Sequence, residues 1–250
     1  MKNFIIGIFA MFISFVSAQE SQNVFKEANN YYRAEDYTKA IKSYKAILEQ
    51  GLESSEVYFN LGNAYYKTNK MAEAIYSFEK ALVLNPSNQD AKTNLAYANR
   101  SIIDSIKTIP KSTLDKFNDN VLALLSYNTW AKIAVASSLL AGLVWMFFFF
   151  STQPGVKKMF FTLGVIISIT CFIGLGVASQ QYIKTKNTVY AIVFSDEVSV
   201  KNAPRNSALE IFSLHQGTKL KVLDKVGNWH KVKIADGQVG WIPKESIKAF

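Results

Sequence analysis

Cysteine and histidine are almost missing from this chain. One cysteine, Cys171, and two histidines, His215 and His230, are spread over 250 residues. A single thiol cannot close an intramolecular disulfide. Cys171 also lies within a long apolar run, where hydrocarbon disfavours the thiolate, so it reads as a small apolar residue and carries no signal of redox compartment. Neither histidine has metal-ligand spacing to another histidine or cysteine. No HExxH, phosphate-loop, GxSxG or dinucleotide fingerprint occurs. The adjacent acids Glu35 and Asp36 fall at a bend between helices, as a solvated turn. The expectation is a non-enzymatic chain with no catalytic residue, no metal and no cofactor.

The net charge of +9 would suit a nucleic-acid binder, but it lacks the basic stripe one needs. Residues 19–108 carry 11 basic and 11 acidic side chains. The excess sits in 109–186, with seven basic against two acidic, and in 187–250, with nine against six. Lysines therefore flank the apolar runs, and no nucleic-acid partner is expected.

Three apolar runs are present. MKNFIIGIFAMFISFVSAQE has the layout of a secretory signal: Lys2, an apolar core from Phe4 to Val16, and the small residues Ser17 and Ala18 before a cut. An uncleaved anchor is the alternative, and both place the following residues outside the cytoplasm. Ile133 to Phe150 and Met159 to Ser179 are uncharged. Each is long enough, with its flanks, for hydrocarbon about 30 Å thick. The short connector with Pro154-Gly155 forces an antiparallel hairpin. Its Lys157 and Lys158 suit a cytoplasmic loop. Both flanking units then face the periplasm. Ala134, Ser138 and Gly142, and Gly164 and Ser168, are spaced for close helix approach within the hairpin.

FNLGNAYYK, Phe59 to Lys67, echoes FKEANNYYR, Phe25 to Arg33, 34 residues earlier. That period belongs to paired antiparallel helices. Tyr58, Leu61, Gly62, Tyr65, Ala74, Phe78, Ala81 and Pro86 make Ser55 to Asn88 resemble a nearly complete tetratricopeptide repeat. Ser21 to Ser54 matches less fully, and QDAKTNLAYANR resembles an end-capping helix, with Ser87 to Asp90 spaced as a capping box. Small residues at Gly62 and Ala74 let helices approach, while Ala81 accepts the next helix. Phe25/Phe59, Asn29/Asn63, Tyr32/Tyr66 and Arg33/Lys67 recur at i, i+4, i+7 and i+8, on one stripe. In this family such a stripe resembles the concave peptide-binding wall, which Tyr97 and Arg100 would extend. Duplication and simple packing would also explain the recurrence. The chaperone-tail clamp of some relatives is not reproduced, because Phe25 and Asp90 stand where its lysines belong.

From Asn187 the pattern changes to period two. VYAIVF, VSV, TKLKVLD, WHKVKI and QVGWI read as strands between Asn, Gly and Pro turns. Gly227-Asn-Trp229, Asp236-Gly237 and Gly240-Trp241-Ile242 fall in the order that resembles bacterial SH3-like domains. Alternation puts Val232 and Ile234 on one face and Trp229, Lys231 and Lys233 on the other. Those three are ligand-face candidates, unless neighbouring strands bury Trp229.

The expected architecture is multidomain: an α-helical repeat array, a two-helix transmembrane hairpin and a small all-β SH3-like barrel. Its order is 1–18 signal peptide; 19–108 repeats (21–54, 55–88, cap 89–108); 109–129 linker with an interfacial helix; 130–150 and 159–180 spans around a 151–158 loop; 187–250 barrel. This order resembles the BatE family of aerotolerance operons in Bacteroidetes-type bacteria. The resemblance implies an inner-membrane adaptor acting with von Willebrand-type and AAA-ATPase-linked components in envelope stress. A peptidoglycan-binding or wall-sensing protein is the alternative.

Overall fold

The 34-residue period recurs in the backbone. In the computed structural model, which describes residues 22–106, 109–110 and 112–250, Glu35 and Asn69 both take left-handed φ values, 61° and 58°. The bonds around them repeat as well. Glu35 N–H donates to Tyr32 O and Asn69 N–H to Tyr66 O, while Asp36 and Lys70 donate to the carbonyls of Tyr31 and Tyr65. These turns join helix α1 (22–33) to α2 (Tyr37–Glu49), and α3 (Ser55–Lys67) to α4 (Met71–Leu84); α5 (Gln89–Arg100) follows. Residues 1–18, read as a signal peptide, lie outside the described residues.

Side-chain caps start three of these helices. Asp36 accepts from Lys39 N–H, Ser54 from Val57 N–H and Asn88 from Ala91 N–H. The last is a correction to the capping box expected at Ser87. That hydroxyl instead bonds Asn85 Oδ1 at 2.7 Å, and the helix starts one residue later. Between α3 and α4, a β-carbon on Gly62 would stand 2.6 Å from the ring of Phe78. Glycine is therefore required by the ring that fills this layer. Ala81 packs with Tyr58 and Ala91, joining α4 to α5.

The C-terminal strands form one seven-stranded sheet in the order β3-β2-β6-β5-β4-β1-β7. They are β1 (Val189–Val193), β2 (Glu197–Lys201), β3 (Glu210–His215), β4 (Lys219–Val226), β5 (Trp229–Lys233), β6 (Val239–Pro243) and β7 (Ile247–Ala249). Every registered pair is antiparallel. Val200, Leu220, Val222, Val232 and Ile242 fill the inner face. β3 and β7 were not among the strands expected. Neither shows a strict alternation of buried and exposed residues.

The chain divides into two compact units. One joins the repeats, up to Ile109, with Tyr190–Phe250; the other is Pro110–Val189. In the first, Ile192 is fully buried in the cluster that holds Ala72, Ile75, Phe78 and Ala98. Tyr76 meets the rings of Phe194 and Phe250 edge-on, at 6.0 and 5.7 Å. The sheet thus packs against the second helix of the second repeat, and the two modules share a core.

The second unit contains α6 (Thr113–Asn120), a 3-10 turn (Leu122–Leu124), α7 (Tyr127–Phe150) and α8 (Pro154–Asn187). Both long helices are apolar and long enough to cross a membrane. Proline at the first position of α8 fits a helix start. Only residues 151–153 separate the helices, and α8 continues through the residues expected to link hairpin and barrel. Trp145 Nε1–H donates to Ser168 Oγ at 3.3 Å above Gly164, and Gly174 lies against Ala134. The expected spacing of four holds only in part. Ala134 and Ala141 are buried, whereas Ser138 is exposed and Gly142 has open space beside it.

Candidate functional site

The first helices of the repeats, α1, α3 and α5, carry the recurring polar and aromatic stripe. Its asparagines bond one another. Asn60 Nδ2 donates to Asn29 Oδ1 at 3.0 Å, and Asn94 Nδ2 to Asn63 Oδ1 at 2.7 Å. The rungs are one repeat apart, so the duplicated asparagines build a ladder along the wall. Tyr44 OH also donates to Asn29 Oδ1, at 2.6 Å, and its own pKa is pushed up to about 12, chiefly by burial. Asn29 and Asn63 each spend their carbonyl oxygen within the array.

Two recesses flank the ladder. Asn29, Tyr32, Arg33, Tyr44 and Asn60 line one of about 210 Å³. Tyr32, Asn63, Tyr66, Lys67, Asn94 and Tyr97 line the other, of about 170 Å³. Tyr66 and Tyr97 are exposed, and the Arg100 guanidinium stands 5.6 Å from the centre of the Tyr97 ring. The wall therefore offers amide and phenol groups with a cation at each recess, a combination that hydrogen-bonds peptide groups and attracts carboxylates. Phe25 and Phe59 are half-buried. They turn into the helix layers, against Tyr44 and Phe78 with ring centres 6.0 and 6.1 Å apart, and line neither recess. Both rings thus have a packing role.

On the sheet, Trp229, Lys231 and Lys233 leave the face opposite the buried Val232 and Ile234. Trp229 is half-buried, with Lys201 Nζ 5.8 Å from its ring centre and Pro243 opposite it in register. Lys231 pairs in register with Trp241 and stands over that ring at 5.9 Å. The second histidine lies on the inner face. His230 is 7% exposed, and its Nδ1 is buried without a partner among the described residues. Burial, with Lys225 and Lys244 nearby, holds its pKa below the ordinary histidine value.

A polar cluster missed by sequence reasoning joins the modules. Asp104, beyond α5, accepts from His215 N–H at 2.8 Å, from Thr218 Oγ1–H at 2.6 Å and from His215 Nδ1 at 2.7 Å. An ionised carboxylate only accepts, so Nδ1 carries the proton. Burial alone would raise the Asp104 pKa, but these donors outweigh it and hold the carboxyl below its ordinary value. Lys219 Nζ meets the buried Glu79 carboxylate at 2.7 Å. Gly217, with φ of 90°, lies so close to Ile102 that a β-carbon there would stand 2.5 Å from it. Spacing in the sequence gives no hint of these pairs, whose partners lie more than a hundred residues apart.

A family model described as tetratricopeptide repeat matches residues 25–100. One described as bacterial SH3 domain matches residues 196–248. No curated protein matches the chain as a relative. The chain therefore carries tetratricopeptide repeats and a bacterial SH3 domain, with two long apolar helices between them in sequence.

Proposed function

We propose that this protein is a non-catalytic membrane adaptor that binds an extended, acidic peptide segment of another envelope protein along its repeat wall. The observation that carries the reading is the division of the array's surfaces. The SH3 domain occupies the second-helix side at Tyr76 and Glu79, while the two recesses of α1, α3 and α5 stay open beside Arg33, Lys67 and Arg100. Modules that share a core present their surfaces as one body, so individually weak contacts add through effective concentration.

Sidedness supports the same reading. The segments before and after the apolar hairpin meet in one unit, which supports both ends of the hairpin lying on one side of the bilayer. A signal-like N-terminus favours the periplasm as that side. The partners fitting this placement are membrane and periplasmic proteins of an envelope-stress or aerotolerance complex, including von Willebrand-type and AAA-ATPase-linked components.

In-cell crosslinking tests the wall. Because Asn29 and Asn63 hold the ladder, the informative variant is Lys67→Glu with Tyr97→Ala, both exposed residues outside it. Crosslinks to membrane partners should fall with the circular dichroism melt unchanged. An undiminished yield from the folded variant refutes the wall assignment.

The half-exposed Trp229 beside Pro243 and Lys201 favours a second reading, binding of peptidoglycan by the SH3 domain. Purified sacculi should then sediment the detergent-solubilised chain saturably, and Trp229→Ala should abolish it.

A further inference from the structure

The outer face of β4 and β5 gathers ammonium groups. Lys221 and Lys233 are register partners, so their side chains leave one face directly opposite each other. Like charges in that relation destabilise a sheet. Neither makes an ion pair among the described residues. Lys219, two residues before Lys221, shares the face but is matched to Glu79. All three lysines line a recess of about 430 Å³, with no carboxylate among the described residues of its lining. The rest of its lining is largely apolar: Tyr190, Leu223 and Ala235 reach the surface, with Leu220 and Ile234 buried behind them. Leu223 is 45% exposed, an aliphatic side chain beside two cations that have no ion pair among the described residues.

A wall that is half cationic and half aliphatic is complementary to an amphiphilic anion. A phosphate diester would relieve the Lys221–Lys233 repulsion, and glycerol carbons and first methylenes would cover Leu223. Chain connectivity narrows the source. Tyr190 follows Asn187, the last residue of α8, by three positions, at most about 11 Å of extended chain, and Asn187 stands about 10 Å of helix past residue 180, where the expected span ends. A soluble phosphate ester would satisfy the lysines and leave the apolar half bare. We propose that this recess takes the headgroup phosphate of an anionic phospholipid, with Lys221 and Lys233 as its ligands. The proposal rests on reading α7 and α8 as membrane-spanning. It gives the SH3 domain a second contact, apart from Trp229, through which membrane composition sets how firmly the adaptor's soluble body is held.

The test uses the full chain in nanodiscs of phosphatidylcholine alone, or of equal parts phosphatidylcholine and phosphatidylglycerol. An amine-reactive reagent is applied and labelling of each lysine followed by peptide mass spectrometry. Lys221 and Lys233 should label about fivefold more slowly in the anionic discs, while the exposed Lys42 of α2 labels equally in both. The variant Lys221→Gln with Lys233→Gln should retain less phosphatidylglycerol by native mass spectrometry, with an unchanged melt. Equal labelling in the two discs overturns the lipid site and leaves the membrane reading intact. Protection by soluble glycerophosphoglycerol or by polyglutamate in neutral discs, to the same extent, also overturns it, in favour of a free phosphate ester or an acidic peptide. Failure of the chain to enter discs removes the membrane reading, and the lipid site with it.

Discussion

The Asp104 carboxylate lies 2.7 Å from Nδ1 of His215 and fastens the end of the repeat array to the turn after β3. With the bonds from His215 N–H and Thr218 Oγ1–H, it accepts three bonds from the SH3 domain. Replacing it with Asn keeps the shape but removes the charge and turns one acceptor into a donor facing donors. Asp104→Asn should lower the stability of the joined unit by about 2 kcal/mol, the scale of hydrogen bonds to a charged group. Urea denaturation gives the magnitude. Hydrogen exchange should show Gly217 and Thr218 losing protection, while the Asn63–Asn94 rung keeps its own.

The same carboxyl sets an acid limit. Its folded-state pKa is below its unfolded value, so its contribution is complete above about pH 4 and is lost as pH falls through the folded value. Between neutral pH and pH 4, Asp104→Asn and the parent should therefore differ by a constant amount. Below that range their stabilities should converge. A difference that persists in strong acid would mean that the carboxylate contributes through shape alone.

Gly62 and Phe78 make a second sharp dependence. The corresponding position in the first repeat, Ala28, already carries a β-carbon and is fully buried in a cluster with Tyr44 rather than a phenylalanine. Gly62→Ala should cost about 1–3 kcal/mol by overpacking, and Phe78→Leu should recover part of the loss when combined with it. A double variant no better than the sum of its parts would place the strain elsewhere.

His230 predicts a slope of opposite origin to its position beside Trp229. Its folded-state pKa is depressed by burial, then by Lys225 and Lys244. The unfolded chain therefore binds the proton more readily, and stability falls as pH drops below about 6.5 towards the folded value. His230→Leu should flatten the stability curve of the unit relative to the parent between pH 7 and pH 5. It should also remove the unpartnered buried Nδ1.

Local regularities were legible in the sequence; meetings between distant segments were not. The repeat period, the layer residues Gly62, Phe78 and Ala81, and the two apolar helices follow from spacing and side-chain size. So does the outward placement of Lys231 and Lys233, set by the two-residue period of β5. For Phe25 and Phe59, periodicity places a residue on a helix stripe without fixing how far its ring swings towards the next helix, here against Tyr44 and Phe78. The ladder was equally hidden: Asn29 and Asn63 recur at the repeat period, but their partners are Asn60 and Asn94, 31 residues on. Asp104 and Glu79 belong to no motif or repeat position that the sequence marks. Their role comes from His215, Thr218 and Lys219 arriving from beyond the hairpin.

The hairpin separates packing from composition in the same way. Ala134, Ser138 and Gly142 are equally small and evenly spaced, yet only Ala134 faces the second helix, where it meets Gly174 and accepts a bond from Cys171 Sγ at 3.4 Å. Helices in hydrocarbon associate by close contact, since lipid tails solvate a leucine as well as a neighbouring helix does. Enlarging a contact residue should therefore force α7 and α8 apart, while enlarging an open one should leave their pairing untouched. Ala134→Leu is expected to lower the thermal stability of the hairpin in detergent by about 1–3 kcal/mol, and Gly142→Leu to leave it unchanged or slightly raised through helix propensity. Trp145 fluorescence reports the separation, because its indole N–H is anchored to Ser168 above Gly164. If Gly142→Leu shifts that emission as much as Ala134→Leu does, the four-residue spacing is the contact surface after all, and the seven-residue pairing of Ala134 with Ala141 is not.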